Sequence, residues 1–382
     1  MRRTPGLVGV ALVVGILAAA FPAQGALAAV PPVTALPAGV GVDVSWPQCN
    51  RDHTFVPYPS GLPFAVVGVN GGNASNLNDC FAGQYTAALL MATAPQTEQP
   101  RAAAYLNTGN PALAGAWWPS SDYTEYQNTL VPTGSLGDCK GLADKACAYV
   151  YGYSKAEDDV NQVRSDLSQL PSTWWLDVET SNTWQTDVKA NEASLDGMVD
   201  YLKGQGITAI GVYSTGYQWN KIVGVTAATS PLAGLQSWLA GSSPTGAAAA
   251  CEGSPLTPGG RVSMVQYIAG GFDDDLSCHV FPSAVTISPA ASQLVGATLS
   301  ASTGWPAGGS YAFQWRRNGI AISQATAGTY KTTGADVGKS ITYTVTGKKL
   351  GYSTATATSS AVTVRALPAK RPTPPRRPAH VS

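Results

Sequence analysis

Between residues 39 and 280 the chain alternates short, continuous apolar runs with longer polar or helically patterned segments. Eight runs read as strands: 39–46 (GVGVDVSW), 64–70 (FAVVGVN), 102–107 (AAAYLN), 147–153 (CAYVYGY), 173–179 (TWWLDVE), 207–214 (ITAIGVYS), 236–241 (QSWLAG) and 262–268 (VSMVQYI). Most lack the apolar–polar alternation of a half-exposed strand, as expected for strands covered on both faces. Helical spacing appears around 81–93, 155–169 and 188–203; in the last, Leu195, Met198, Val199 and Leu202 fall on one face,. Eight such units in about 240 residues suit the length of a (β/α)8 barrel. The expected fold is therefore α/β, an irregular TIM-like (β/α)8 barrel over 30–283. Its last two connections are too short or too rich in Gly and Pro for full helices.

From about residue 284 the texture changes. Residues 284–365 hold no Cys and much Thr, Ser, Gly and Ala, in short alternating runs such as VTISP, ATLSAST, YAFQWRRNG, TYKTT, SITYTVTG and TATSSAVTV. These predict a small all-β sandwich with Trp315 as its core aromatic. Residues 366–382 (ALPAKRPTPPRRPAHVS) carry five prolines and four Lys/Arg, a composition that builds no core and predicts a disordered tail,.

The other end reads as an export signal. Arg2 and Arg3 precede an apolar run, Leu7 to Phe21, that is too short to span a bilayer, and Ala26-Leu27-Ala28 follows,. We expect residues 1–29 to be removed and the mature protein to be secreted or wall-associated, with no integral membrane segment. The 23 Lys/Arg balance the 23 Asp/Glu, but six of the positive residues lie in the signal and the tail, so the rest carries a net −6. That charge argues against nucleic acid as a partner. Six cysteines in an exported chain imply disulfides. Sequential pairing is expected (Cys49–Cys80, Cys139–Cys147, Cys251–Cys278), each pair stapling one local excursion. The three histidines show no metal-ligand spacing,, and Asp273-Asp274-Asp275 lacks the spacing of a calcium loop. No metal or cofactor is called for, and a monomer is expected.

Candidate chemistry lies in STWWLDVETSNTW, residues 172–184, where two acids sit two apart in an aromatic strand. Positions i and i+2 of a strand share a face, so Asp177 and Glu179 project together at a strand end, where barrels carry their sites. Asp43 lies near the end of the first strand, and Asp273 follows the last, which neighbours the first on closure. Acids converging with different solvation are what glycosidic cleavage requires. Trp46, Trp175, Tyr213, Trp219, Trp238 and Tyr267 fall at or just after strand ends, where they would stack on sugar rings.

At DVSWPQ, WWLDVET and VQY…D the chain resembles the family-25 glycoside hydrolases, the Chalaropsis-type lysozymes. It looks closer still to a glycoside-hydrolase-like branch of secreted actinobacterial proteins carrying DVSWPQC, VGVNGG, YLNTGNP, ACAYVYGY, WWLDVET and GVYST. The resemblance covers 39–279. It implies Glu179 as general acid, Asp177 as its partner, and Asp43 and Asp273 as the remaining acids, with Asp275 the alternative to Asp273. It further implies that Gln48, Asn70, Asn107 and Gln266 contact substrate, and that the substrate is peptidoglycan. The chain departs from the lysozymes where CNRDHTFVPYPSGLP follows DVSWPQ and where 110–145 is inserted. A barrel that binds a cell-envelope glycan without cutting it is the alternative reading. The segment GATLSASTGWPAGGSYAFQWRRNG with DVGKSITYTVTGKKLGY resembles bacterial Ig-like modules, which act as spacers or adhesion elements.

Overall fold

In the computed structural model the described residues are 39–92, 97–269, 271–282 and 284–369. The expected signal peptide, Ser283 at the expected domain boundary, and the tail from 370 onward lie outside them. Eight strands close in sequence order into a barrel: β1 (Val40–Val44), β2 (Ala65–Gly68), β3 (Ala102–Asn107), β4 (Thr173–Asp177), β5 (Ala209–Ser214), β6 (Gln236–Ser242), β7 (Val262–Ile268) and β8 (Asp273–Ser277). β1 to β7 are parallel. β8 runs antiparallel to both β7 and β1 and closes the ring. The helices are α1 (Phe81–Leu89), α2 (Lys145–Asp166), α3 (Val188–Gly204), α4 (Gly216–Ile222) and the single turn α5 (Ala247–Ala250). The strand-to-helix repeat is thus incomplete. No α-helix joins β1 to β2, and β7 turns directly into β8.

Two expected elements change. Residues 147–153, expected as a strand, are the first turns of α2. Asp144 caps the helix, its carboxylate accepting the Cys147 N–H at 3.0 Å. The aromatic run carries no helical period because both of its sides are covered. Tyr149 and Tyr153 pack toward α3, while Tyr151 stacks on Trp117 and Trp118. Conversely, the eighth strand is DDDLS at 273–277, which reads as a loop because three acids open it. The eight-strand count holds with one member exchanged.

α2 and α3 cross with their backbones almost touching. A Cβ on Gly152 would lie 1.8 Å from the Ser194 carbonyl oxygen, and one on Gly197 would lie 2.2 Å from that of Tyr149. Neither obstacle is a flexible side-chain end, so a methyl group must push the helices apart. Gly152→Ala is expected to destabilise the fold by about 3 kcal/mol, at the upper end for overpacking. Gly204→Ala, at the end of α3 with nothing within 4 Å, should leave stability unchanged or slightly raised. Urea denaturation of the two variants measures the contrast.

Three disulfides join Cys49–Cys80, Cys139–Cys147 and Cys251–Cys278. They tie the loop after β1 to the start of α1, the 110–145 excursion to the first turn of α2, and α5 to the end of β8.

Beyond the barrel, β9 (Val285–Ser288), β11 (Thr298–Thr303) and β14 (Thr329–Lys331) form one small sheet. β10 (Gln293–Leu294), β12 (Ser310–Arg317), β13 (Ile320–Ala321), β15 (Ser340–Lys348), β16 (Ala355–Thr358) and β17 (Val362–Arg365) form the other. The expected run 356–364 is two strands, β16 and β17, separated at Ser359–Ala361. Leu299, Trp315, Ile341 and Val345 are fully buried in a core that draws on both sheets. This part docks on the barrel through Gly351 N–H to Ala248 O at 2.9 Å and Thr354 Oγ1–H to Glu252 O at 2.9 Å.

Candidate active site

Side chains pointing into the barrel come from alternate strand positions. Below the mouth they form a buried aromatic layer of Phe64, Val66, Ala103, Trp175, Trp238 and Met264. Glycines on facing strands make the room: a Cβ on Gly41 would lie 2.6 Å from the Phe64 ring, and one on Gly211 would lie 2.2 Å from the Trp175 ring. Trp238 is the hub, with Tyr213 at 4.5 Å, Trp175 at 5.7 Å and Tyr105 at 6.4 Å between ring centroids.

Two residues past Trp175 comes Asp177, and two further, just beyond the strand, comes Glu179. The backbone at Glu179 is pinned, its carbonyl accepting the Trp184 Nε1–H at 2.7 Å and the Asn182 N–H at 3.2 Å. Asp43 on β1 pairs in register with Asp273 on β8. The four acids line one pocket of about 130 Å³ together with Tyr105, Tyr213, Trp238 and Gln266. No cation is among these lining residues.

Negative charges crowded into a protein-walled space resist ionisation. Burial, then the charges of Asp273 and Glu179, push the Asp43 carboxyl up to about 7 against its bond to Gln266. Burial first, then the Glu179 and Asp43 charges, raise Asp177 well above the carboxylate range. Asp275, wholly buried one layer below Asp273, is raised well above that range by burial and by Asp43. Asp43 thus holds Asp275 toward the protonated form,.

Positioning bonds surround the acids. The Tyr213 hydroxyl donates to Gln266 Oε1 at 2.8 Å, and Gln266 Nε2 donates to Asp43 Oδ2 at 2.8 Å. Trp238 Nε1 donates to Asp275 Oδ1 at 2.8 Å. A longer chain reaches Asp177: Asn107 Nδ2 donates to its Oδ2 at 2.6 Å, and the Asn107 backbone N–H donates to Asn70 Oδ1 at 2.8 Å. Asn70 Nδ2 in turn donates to Asp159 Oδ1 on α2, at 2.8 Å. Asp177 Oδ1 has no hydrogen-bond partner among the described residues.

Several residues expected to contact substrate have other duties. Asn70 is fully buried in the chain just described. Asn107 stands behind Asp177 and orients it. Trp175 lies in the sealed aromatic layer. Trp219 sits on α4 with its side chain buried. Tyr267 is on the outward face of β7, alternating with the inward Gln266, and is buried there. Gln48 closes its own turn, its Oε1 accepting the Ser45 N–H at 2.9 Å. Trp46 is 52% exposed at the rim beside Gly72 and outside the pocket lining. Tyr105 was not foreseen, although a lone tyrosine after three alanines marks an inward position with space around it. Asp273 and Asp275, posed as alternatives, both face the interior, at different depths. Among the described residues no group of three or more His, Cys, Asp or Glu is placed to hold a metal ion, and no helix is long and apolar enough to cross a membrane.

Residues 145–249 match the family model described as lysozyme-like protein 1. That stretch includes Asp177 and Glu179 but neither Asp43 nor Asp273. Over 71 residues the chain is 38% identical to lysozyme-like protein 5 of Caenorhabditis elegans, a match covering 17% of this chain and 32% of that protein. The chain thus spans about a third of the length of this curated relative. Among solved structures it is similar to a muramidase from Trichobolus zukalii, at 18% identity and a TM-score of 0.37, over 62% of this chain and 92% of that one. It is also similar to the bacterial lysozyme from Streptomyces coelicolor, at 16% identity and a TM-score of 0.38, over 63% and 93%.

Proposed function

We propose that the protein is a secreted muramidase-like glycoside hydrolase that cuts the β-1,4 bond between N-acetylmuramic acid and N-acetylglucosamine in peptidoglycan. The observation that carries this reading is the meeting of Asp43, Asp177, Glu179 and Asp273 in one cation-free pocket over an aromatic floor. The lysozyme-like match across Asp177 and Glu179 supports it.

Glu179, the less buried of the central pair, gives its proton to the glycosidic oxygen as the C1–O bond breaks. Asp177, fixed through Oδ2 by Asn107, stands beside Glu179 as its partner and orients the acetamido group of the sugar being cleaved. Asp43 and Asp273 face the positive charge that develops at the ring. Water adds to C1 and passes its proton to the Glu179 carboxylate, which restores the acid and leaves a new reducing end and a free hydroxyl. Binding energy from the rest of the glycan holds the ring in place while this happens.

The closed barrel is proposed to be an irregular TIM-like barrel over 30–283, related to the family-25 glycoside hydrolases and closest to their secreted actinobacterial branch. The two sheets of 284–365 are proposed to be an Ig-like spacer that presents it, with 366–382 as a basic tail. Residues 1–29 are proposed to be a signal removed on export, and three disulfides suit an oxidising exterior. The mature protein is proposed to act as a monomer on cell-wall glycan. Purified Gram-positive sacculi should lose turbidity when the full mature chain is added. Sacculi that retain the protein through washing but do not clear would instead favour a glycan-binding barrel without hydrolysis.

A further inference from the structure

A second and larger concavity opens beside the acid pocket. It measures about 910 Å³ and shares no lining residue with that pocket. One wall is the loop 73–77 after β2, the other is formed by 108–117 and 125–127 of the inserted excursion, and the floor is α2 from Tyr151 to Ser165. At its inner end Thr108 donates from its N–H and its hydroxyl to the Asp177 carbonyl, Asn182 donates its N–H to that of Glu179, and Asp159 of the lining connects to Asp177 through Asn70 and Asn107.

The groove is held open by one buried cation. Lys155, with its side chain 6% exposed, is paired with Glu125 and Asp158. Its ammonium lies 5.2 Å from the Trp117 ring centroid, 5.8 Å from that of Tyr126 and 5.9 Å from that of Tyr151. This knot fastens the excursion to α2, and Cys139–Cys147 fastens its far end. A preformed wall lowers the cost of binding.

With Lys155 already matched, the groove offers no free cation for an anionic ligand. What it offers is flat ring surface and side-chain amides. Tyr126 is 71% exposed, and Trp117 is half-buried and stacked on Tyr151 at 6.0 Å. Asn73, Asn76, Gln127, Asn161 and Gln162 supply amides along both walls and the floor. Aromatic faces rimmed by amides and hydroxyls suit a neutral polyol with apolar C–H faces. A volume near the top of the range for small-ligand sites suits several linked sugar units.

We propose that this groove is a second saccharide site, built by the inserted excursion, that binds a β-linked N-acetylhexosamine chain independently of cleavage. Tyr126 is its outer stacking platform and Trp117 its inner one. The site retains glycan whether or not the neighbouring acids cut it.

The test is a backbone-amide NMR titration of the full mature chain with a soluble tetramer of β-1,4-linked N-acetylglucosamine, paired with calorimetry. Glu179→Gln serves as the background, so that the probe stays intact. Shifts are expected at residues 73–77 and 125–127. Tyr126→Ala should weaken binding there by about three- to tenfold, the worth of one aromatic contact. Tyr126→Phe should retain it. Shifts confined to the surroundings of Asp43, Glu179 and Gln266 at millimolar probe would overturn the proposal, as would no shift at all or equal affinity in Tyr126→Ala. Because binding is read without turnover, a wild-type chain that fails to clear sacculi leaves this result interpretable.

Discussion

Replacing Glu179 with glutamine is expected to lower the rate of sacculus clearing by about 10²–10⁴-fold, the usual worth of a positioned general acid. Glutamine keeps the size and the polar contacts of the side chain and removes only the proton it can give. The fold should be unaffected, because Trp184 and Asn182 grip the Glu179 carbonyl rather than its carboxylate. Matched circular dichroism and unfolding midpoints would establish that. Asp177→Asn is expected to slow clearing as well, but its amide can still bond to Asn107, so the loss should be smaller. Equal clearing by wild type and Glu179→Gln would remove the acid from the reaction.

The second large effect concerns stability. Asp159, on α2, is buried with one oxygen bonded to Asn70 and the other without a partner among the described residues. Burial pushes its carboxyl up to about 8. Between pH 4 and 8 the folded chain therefore keeps a proton that the unfolded chain has released. Fewer protons bound in the unfolded state means that stability falls as pH rises. The contribution is whole below about pH 4 and is lost as pH climbs to about 8. At about 1.4 kcal/mol per unit of separation, the loss is on the order of several kcal/mol. Asp159→Asn mimics the protonated acid and does not titrate. It should match wild type near pH 4 and exceed it by a few kcal/mol at pH 8, as read by urea unfolding at both pH values. Asp159→Leu, which abandons the bond to Asn70, should be less stable than Asp159→Asn at both. Asp43, pushed up to about 7, and Asp177 and Asp275, also raised, titrate in the same sense. The wild-type protein should therefore be more stable at pH 5 than at pH 8.

The convergence of Asp43, Asp177, Glu179 and Asp273 was legible in the sequence, because strand spacing and ring closure are geometric rules. Asp177 and Glu179 needed only the two-residue period, and Asp43 needed only the adjacency of the first and last strands. The identity of the last strand was hidden. Acids at the start of a strand normally mark a loop, and here Asp273 and Asp275 point into an interior where burial and neighbouring acids favour the protonated form. The first turns of α2 were hidden for the opposite reason: a helix covered on both sides loses its stripe, and its aromatic run at 147–153 looks like a strand, whereas the helical spacing around 155–169 marked its second half. The aromatics divided by depth, which one-dimensional spacing does not carry. Trp175, Trp238 and Tyr213 lie on inward positions, yet Trp175 is one layer too low to reach the mouth. Asn70 and Asn107 look like substrate contacts in a motif and prove to be the internal bonds that hold Asp177 to α2 through Asp159.

Hydrolysis of a glycosidic bond in peptidoglycan by these acids would be read from the chemical identity of the ends produced. Purified peptidoglycan would be digested with the mature chain, reduced with borohydride, and analysed by mass spectrometry. Soluble muropeptides ending in reduced N-acetylmuramic acid are expected, and they should be absent from a parallel digest with Glu179→Gln. Fragments ending in reduced N-acetylglucosamine, or no new reducing ends although the protein stays bound to the wall, would contradict muramidase-like cleavage.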